Sequence, residues 1–127
     1  MNSPTRTEQV FLILTALADQ PRHGYGIVQE VEQISEGRTR LKVGTLYGAL
    51  DRLAGEGLIE PDREEVESGR LRRYYRLTEQ GVAALTEDAE RLAGNARAAA
   101  QRLGTRGVRV PGTGGLGPGP RMAGGAA

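Results

Sequence analysis

Two groups of basic residues stand out in this sequence because their side chains suit binding to phosphate. In chain order they are Arg38, Arg40, Lys42, Arg70, Arg72 and Arg73. A guanidinium group presents a planar fork of donors that can bind a phosphate in bidentate fashion or enter the minor groove of a duplex. Both groups are therefore candidates for contact with a polyanion.

A predicted helix lies between the two groups, in the segment KVGTLYGALDRLAGEGLIE from Lys42 to Glu60. Leucines at positions 46, 50 and 53 follow the spacing i, i+4, i+7 and share one face. The other face is expected to carry Thr45, Gly48, Ala49 and Arg52, which leaves it nearly bare. Such a face can approach a flat surface closely, although the same pattern also fits an amphipathic helix on a small α+β core. Gly57 is expected to end this helix.

Residues 59–77 are predicted to form a two-stranded hairpin. One face carries Arg73, Tyr75 and Leu77 and the other Arg72, Tyr74 and Arg76, as in a half-buried strand, and Ser68-Gly69 is a turn signal. The first strand and its loop are acidic, with Glu60, Asp62, Glu64, Glu65 and Glu67. Two interpretations stay open: a cross-strand ladder of ion pairs, or a hairpin whose tip arginines bind phosphate.

Upstream, two further helices complete a three-helix core. The first, from Glu8 to Ala18, is apolar on nearly all sides and is expected to be buried on more than one of them. The second follows His23-Gly24-Tyr25-Gly26 and carries Ile27, Val31 and Ile34 on one face. Tyr25 is expected to lie in the core or at an interface. The segment from Ser35 to Lys42 is then a turn that carries the first basic group.

The last predicted helix has the clearest periodicity in the chain. Apolar residues recur at alternating three- and four-residue spacing, as in a coiled-coil seam. They are Val82, Leu85, Ala89, Leu92, Ala96, Ala99 and Leu103. No other element is long enough to cover this seam, so we expect a homodimer formed through it. The alternative is a helix that packs on its own hairpin.

Composition and charge exclude several classes of protein. At 127 residues the chain is expected to be one domain, close to the size at which a partner helps stability. Without cysteine it has neither disulfides nor a thiolate metal site, and no segment predicts a membrane span or a signal peptide. We expect a cytoplasmic protein. Residues 1–90 carry sixteen acidic and eleven basic groups, whereas residues 91–127 carry six arginines and no acid. Anion binding must therefore rely on the local basic groups.

Catalytic signals are missing from the sequence. His23 is the only histidine, and one near a helix start is expected to be structural. No nucleophile stands beside a base, and the late glycines lack the strand-to-helix context of a phosphate loop. We therefore expect neither an enzyme nor a cofactor or metal site.

The segments HGYGI, GTLYGALDRLAGEGLIE and RRYYRLTEQG resemble, in order and spacing, the PadR family of bacterial transcriptional regulators, over roughly residues 8–103. Tyr47 and the run from Tyr75 to Gly81 are the most specific parts of the match. At Gly48 and Ala49 the sequence departs from relatives, which often carry larger polar residues there. The resemblance implies a winged helix-turn-helix, α+β and mostly helical, with a C-terminal dimerisation helix.

The expected organisation is a flexible N-terminus (1–7), a winged helix-turn-helix DNA-binding domain (8–77), a dimerisation helix (78–103) and a disordered Gly/Pro-rich tail (104–127). The tail could alternatively strengthen nonspecific DNA binding. The expected DNA-binding residues are Arg38, Arg40, Lys42, Thr45, Tyr47, Gly48, Arg52, Arg70, Arg72 and Arg73. The expected function is a homodimeric regulator, and a repressor, on a pseudo-palindromic operator in double-stranded DNA. Two alternatives remain: a sensor that binds a small-molecule effector of unknown identity in the dimer cleft, and a winged helix that binds only protein.

Overall fold

The computed structural model of the protein describes residues 6–111, so that residues 1–5 and 112–127 lie outside it. Within this range the chain forms four helices and three strands, the α+β, mostly helical architecture that the sequence predicts. In chain order they are α1 (Glu8–Ala16), β1 (Arg22–His23), α2 (Gly24–Ile34), α3 (Val43–Gly55), β2 (Ile59–Glu67), β3 (Arg70–Leu77) and α4 (Glu79–Gly104). The chain divides into two compact units, with the boundary between Asp88 and Ala89. Most of the expected tail, from residue 112 onward, lies outside the described residues.

The core of the first unit is built by the three N-terminal helices and the start of β2. Its most deeply buried side chains are Ile13, Leu14, Ile27, Val31, Leu46, Leu50 and Ile59. In α1 three consecutive residues, positions 12–14, are all buried. Consecutive side chains cannot share one helical face, so α1 is covered on several sides, as predicted. It ends at Ala16 rather than Ala18, because the Leu17 N–H turns back to the Leu14 carbonyl (3.1 Å). Ile34, predicted on the buried face of α2, is exposed at the last residue of that helix.

Arg6 and Thr7 take part in the fold, although the sequence places both in a flexible N-terminus. The Thr7 hydroxyl accepts a hydrogen bond from the Val10 N–H (3.2 Å) and so caps α1. The Arg6 guanidinium lies 3.3 Å from the carboxylate of Asp88, a residue that is only 4% exposed. A buried carboxylate needs a cation or hydrogen-bond donors to offset its lost hydration, and the Arg6 guanidinium is such a cation. These contacts fix the chain just before α1.

The sheet is a hairpin with one added strand. Strands β2 and β3 are antiparallel and join at Ser68-Gly69, whose positive φ angles of 52° and 76° fit a two-residue turn of type I′. The predicted hairpin is therefore confirmed, and we call it the wing. Strand β1 pairs with β3 through Arg22 opposite Tyr75 and His23 opposite Tyr74, giving the order β1-β3-β2. The sequence did not predict β1, because two residues are too few to show a period.

The junction between α3, β2 and α4 is closely packed. Gly57 ends α3 with φ 79°, as predicted, and the Leu58 N–H returns to the Leu53 carbonyl (3.0 Å). Thr78 caps α4 by accepting from the Gly81 N–H (3.0 Å), while its hydroxyl donates to the Gly57 carbonyl (2.6 Å). A β-carbon at Gly81 would overlap the Leu58 carbonyl. Only glycine fits there, and the first turn of α4 thereby packs directly on the loop between α3 and β2.

In the second unit α4 continues as an exposed helix to Gly104. It ends in a Schellman turn, in which the Val108 N–H bonds to the Leu103 carbonyl (3.0 Å) across Gly107 at φ 85°. Leu92 and Leu103 are 42% and 37% exposed. Among the described residues, no helix is both long enough and apolar enough to cross a membrane.

Candidate nucleic-acid interface

The outer face of α3 is the first part of the candidate site. Thr45, Tyr47 and Arg52 are exposed and Gly48 is partly exposed, so the predicted open face is real. Ala49, however, is only 4% exposed and belongs to the core, so its placement on the outer face is wrong. It lies three residues after Leu46 and therefore turns to the same side of the helix. The bare surface is thus narrower than the sequence suggested. Arg52 lies along it and donates to the Gly48 carbonyl (3.4 Å).

The turn that precedes α3 displays its three cations to solvent. Arg38, Arg40 and Lys42 are all exposed, and together they form the cationic turn. Ser35, which the sequence did not single out, holds this turn in shape. Its buried hydroxyl accepts from the Thr39 N–H (2.9 Å) and approaches the Glu32 carbonyl (3.2 Å). An ST-type loop of this kind satisfies backbone groups that would otherwise need water.

The cations of the turn already have acidic neighbours. Arg40 lies 3.5 Å from Glu32, and Arg38 lies 3.6 Å from Glu36, with all four side chains largely solvent-exposed. Exposed pairs of this kind are weak and are screened by salt. The two arginines are therefore easily drawn to a stronger anion.

The wing carries the cross-strand ladder that the sequence left open. Arg73 pairs with Glu64 (3.2 Å), and Arg76 pairs with both Glu60 and Asp62 (2.9 Å each). Hydrogen bonds from Arg76 and then Arg63 hold the pKa of the Asp62 carboxyl below its usual value. The Asp62 carboxyl is therefore ionised at neutral pH.

The wing tip is less well paired than the rest of the ladder. Arg70 makes no ion pair within residues 6–111. Arg72 lies 4.0 Å from Glu67, too far for a hydrogen bond, and its Nε is buried without an acceptor among the described residues. A buried donor without an acceptor costs free energy. Arg70 is thus the wing cation most available to an external anion, and Arg72 is the most weakly paired of the others.

A cluster around Tyr74 in the sheet, which the sequence did not predict, joins the wing to the start of α2. The Tyr74 hydroxyl donates to Glu67 (2.6 Å), and the Arg63 guanidinium lies 3.9 Å above the Tyr74 ring. The hydrogen bond with Glu67 raises the pKa of Tyr74 and lowers the pKa of Glu67. His23 meets the same ring edge-on at 5.2 Å between centroids. Residues from three elements meet here, so sequence spacing alone gives no signal of the cluster.

His23 is structural, as expected, and its role is that of a helix cap. Its Nδ1 accepts from the Gly26 N–H (3.1 Å) at the start of α2. Burial, followed by the positive charge of Arg72, lowers the pKa of His23, although Glu67 partly opposes this shift. The neutral imidazole, which alone can accept on Nδ1, is therefore favoured.

A cleft of about 400 Å³ opens between the start of α2, the start of α3 and the wing tip. We call it the wing cleft. Its polar lining comprises His23, Tyr25, Tyr47, Arg70, Arg72 and Arg73, and its apolar lining includes Val28, Val43 and Leu46. Tyr25 is 55% exposed, so it is not a core residue. The Arg72 guanidinium carbon lies 6.0 Å from the centre of the Tyr25 ring.

Gly24 allows Tyr47 to reach across this cleft. A β-carbon on Gly24 would come within 2.5 Å of the Tyr47 hydroxyl oxygen. The glycine of the HGYG segment and the tyrosine of α3 are therefore parts of one arrangement. Of the predicted site residues, the fold brings Tyr47, Arg70, Arg72 and Arg73 together around the wing cleft. Among the described residues, the cationic turn and Arg52 do not line it.

Comparison with known proteins identifies the family. The model of the transcriptional regulator PadR-like family matches residues 13–87. Transcriptional regulator Rv3488 of Mycobacterium tuberculosis is 45% identical over 76 residues, which cover 60% of this chain and 67% of that protein. An uncharacterised protein X of Lysinibacillus sphaericus is 36% identical over 76 residues, covering 60% of this chain and 70% of that protein.

Solved structures share the same fold. A PadR family transcription regulator from Clostridium difficile R20291 superposes with a TM-score of 0.64 at 29% identity, covering 76% of this chain and 99% of that one. Bacillus subtilis PadR, solved in complex with operator DNA, gives a TM-score of 0.56 at 25% identity, covering 66% of this chain and 47% of that one. The family match spans both α3 and the wing, and the chain therefore belongs to the PadR-like family of transcriptional regulators.

Proposed function

We propose that this protein is a sequence-specific DNA-binding regulator that acts as a homodimer and represses transcription. The recognition helix, α3, enters the major groove of a half-site, and the wing contacts the flanking backbone or minor groove. The operator complex of Bacillus subtilis PadR supports DNA as the partner.

The observation that carries this proposal is the position of the open face of α3. Helix α3 follows the cationic turn directly in the chain. The first turn of this helix lines the wing cleft together with Arg70, Arg72 and Arg73. Phosphates border the major groove on both sides, so a helix that enters it must have cations beside it. Residues 1–90 are acidic overall, with sixteen acidic against eleven basic groups. The cations beside α3 are therefore a local feature of this surface and do not follow from the overall charge of this part of the chain.

The dimer is supported by the apolar row on α4, in which Val82, Leu92 and Leu103 are exposed, whereas Leu85 packs partly against the core of its own chain. In the first unit α4 turns Gly81, Ala84 and Asp88 inward. Val82 stands outside this buried face at 52% exposure, and the row continues through Leu92 and Leu103. An aliphatic row at three- and four-residue spacing is the pattern by which two helices pair. A second copy of α4 would cover it.

A two-fold dimer predicts the form of the operator. Each subunit presents one recognition helix, so the half-sites are inverted repeats with centres about 34 Å apart or a multiple of that distance. Single half-sites bind too weakly to compete with the excess of nonspecific DNA.

Selection of bound sequences from a random pool of duplexes tests the proposal directly. The expected result is an enriched pseudo-palindrome with half-sites separated by whole helical turns. Binding to the selected duplex should weaken steeply as salt rises. A pool that shows no enrichment, or equal binding to all duplexes, would contradict sequence-specific regulation.

A further inference from the structure

We propose that the wing cleft holds one phosphodiester of the operator strand that separates the two grooves, with Tyr25, Tyr47 and Arg72 as its ligands. This inference rests on the proposed function and adds to it a defined backbone site with an unassigned residue, Tyr25.

Groove geometry requires such a site. In a duplex the major and minor grooves are separated by a sugar-phosphate strand. If α3 lies in one groove and the wing tip in the next, that strand must run between them. The wing cleft is the space between these two elements.

The lining of the cleft matches the chemistry of that strand. None of the described residues that line it is acidic, whereas three are arginines and two are tyrosines. Tyrosine hydroxyls and guanidinium groups are frequent donors to phosphate oxygens. The aliphatic side chains of Val28 and Val43 offer an apolar surface for the deoxyribose. With a volume of about 400 Å³, the cleft suits one backbone unit rather than a duplex.

Arg72 is the residue best prepared to bind this phosphate. Its side chain lines the cleft, is 25% exposed, and has its carboxylate neighbour, on Glu67, only at 4.0 Å. A phosphate oxygen in the cleft would accept a charge-assisted hydrogen bond from the exposed end of this guanidinium. Tyr25 lies beside the same guanidinium, 6.0 Å from ring centre to Cζ.

The test uses the full chain and the duplex that it selects, with one phosphate at a time replaced by an uncharged methylphosphonate. In the wild type, one position per half-site, between the major-groove bases and the flanking minor groove, should weaken binding about tenfold, as expected for a lost charge-assisted bond. In Tyr25→Phe and Arg72→Gln, the same replacement should cost less than about twofold, because the partner is already gone. All other positions should keep their wild-type effects.

Arg76→Gln is the matched control, because it removes a wing arginine that does not line the cleft. It should retain the wild-type pattern. Thermal unfolding of each variant shows whether the fold is intact, and Tyr25→Phe removes only a hydroxyl from an exposed ring.

Three other outcomes would contradict the proposed phosphate site, and each has a different meaning. If wild type and variants bind the duplex with identical interference patterns, the phosphate site is wrong and the proposed function stands. If wild type binds no duplex, both fail. If inorganic phosphate binds at Tyr25 and Arg72 while no backbone position interferes, the cleft is a site for a free anion and the DNA assignment is overturned.

Discussion

Tyr47 lies over Gly24 so closely that a β-carbon there would be 2.5 Å from its hydroxyl oxygen and 2.9 Å from its Cζ. Helix α3 can therefore approach the start of α2 this closely only because Gly24 has no side chain. Because Tyr47 is 44% exposed, its ring is free to move when displaced.

Gly24→Ala should lower DNA affinity several-fold with little change in stability. The added methyl displaces the end of a flexible side chain, not backbone, so the free energy of unfolding should change by less than about 1 kcal/mol. Gly26→Ala is the control, because a β-carbon there meets nothing nearer than 3.6 Å. Fluorescence anisotropy with labelled operator measures both variants. The effect should vanish in a Tyr47→Ala background, and its persistence there would disprove the coupling.

His23→Ala should remove the cap of α2 and lower the free energy of unfolding by about 1 kcal/mol. Since the pKa of His23 is lowered from 6.5 by burial, the unfolded chain binds the proton first as pH falls. The stabilisation from His23 is therefore complete above the ordinary pKa and is lost as pH falls through the lowered one. Urea unfolding at several pH values measures this slope. His23→Asn keeps a capping acceptor and should lose only the pH dependence; if that variant retains the wild-type slope, the assignment to His23 is wrong.

Arg52→Ala should weaken binding to all duplexes about equally. One lost phosphate contact lowers the slope of log affinity against log salt by about 0.9. Arg97→Ala, which removes the same charge from α4, is expected to leave the slope unchanged. A loss confined to one base position would instead make Arg52 a base-reading residue.

Replacing Arg70, Arg72 and Arg73 together by alanine should reduce DNA affinity at least about tenfold at moderate salt. The melting temperature should barely change, because exposed ion pairs contribute little to stability. Glu64→Gln is expected to act in the opposite sense and strengthen binding, since Arg73 no longer has to leave its carboxylate at 3.2 Å. Loss of stability with affinity retained would show that the wing arginines serve only the ladder.

Leu92→Glu should split the dimer and abolish operator binding together, because a charge in the centre of the apolar row cannot be buried without a partner. Gln101→Glu adds the same charge to an exposed position outside the row and should remain dimeric. Sedimentation velocity distinguishes the two. A dimeric Leu92→Glu variant would place the subunit interface elsewhere.

Periodic elements were predictable and contacts between elements were not. The spacing of Leu46, Leu50 and Leu53 predicted α3, and the same spacing should have placed Ala49 inside, since position i+3 joins the face of i and i+4. Its small size suggested an open surface instead. The Ser68-Gly69 turn was evident because its backbone angles favour few residue types.

The wing cleft was not predictable in this way. Gly24 and Tyr47 lie 23 positions apart in the sequence, and only the packing of α2 on α3 brings them together. The same holds for His23 and Tyr74, which meet through a strand of two residues. The sequence shows the glycine and the tyrosine of the HGYG segment, but it does not show which residues they contact.

The close approach of Gly81 to the Leu58 carbonyl joins the start of α4 to the loop between α3 and β2. A helix that rests on a backbone carbonyl, and whose cap donates to Gly57 at 2.6 Å, cannot tilt without carrying that loop with it. The first turn of α4 is thus held against the main chain of the loop between α3 and β2. In the proposed DNA complex, we therefore expect any tilt at the start of α4 to move the loop that follows α3 with it.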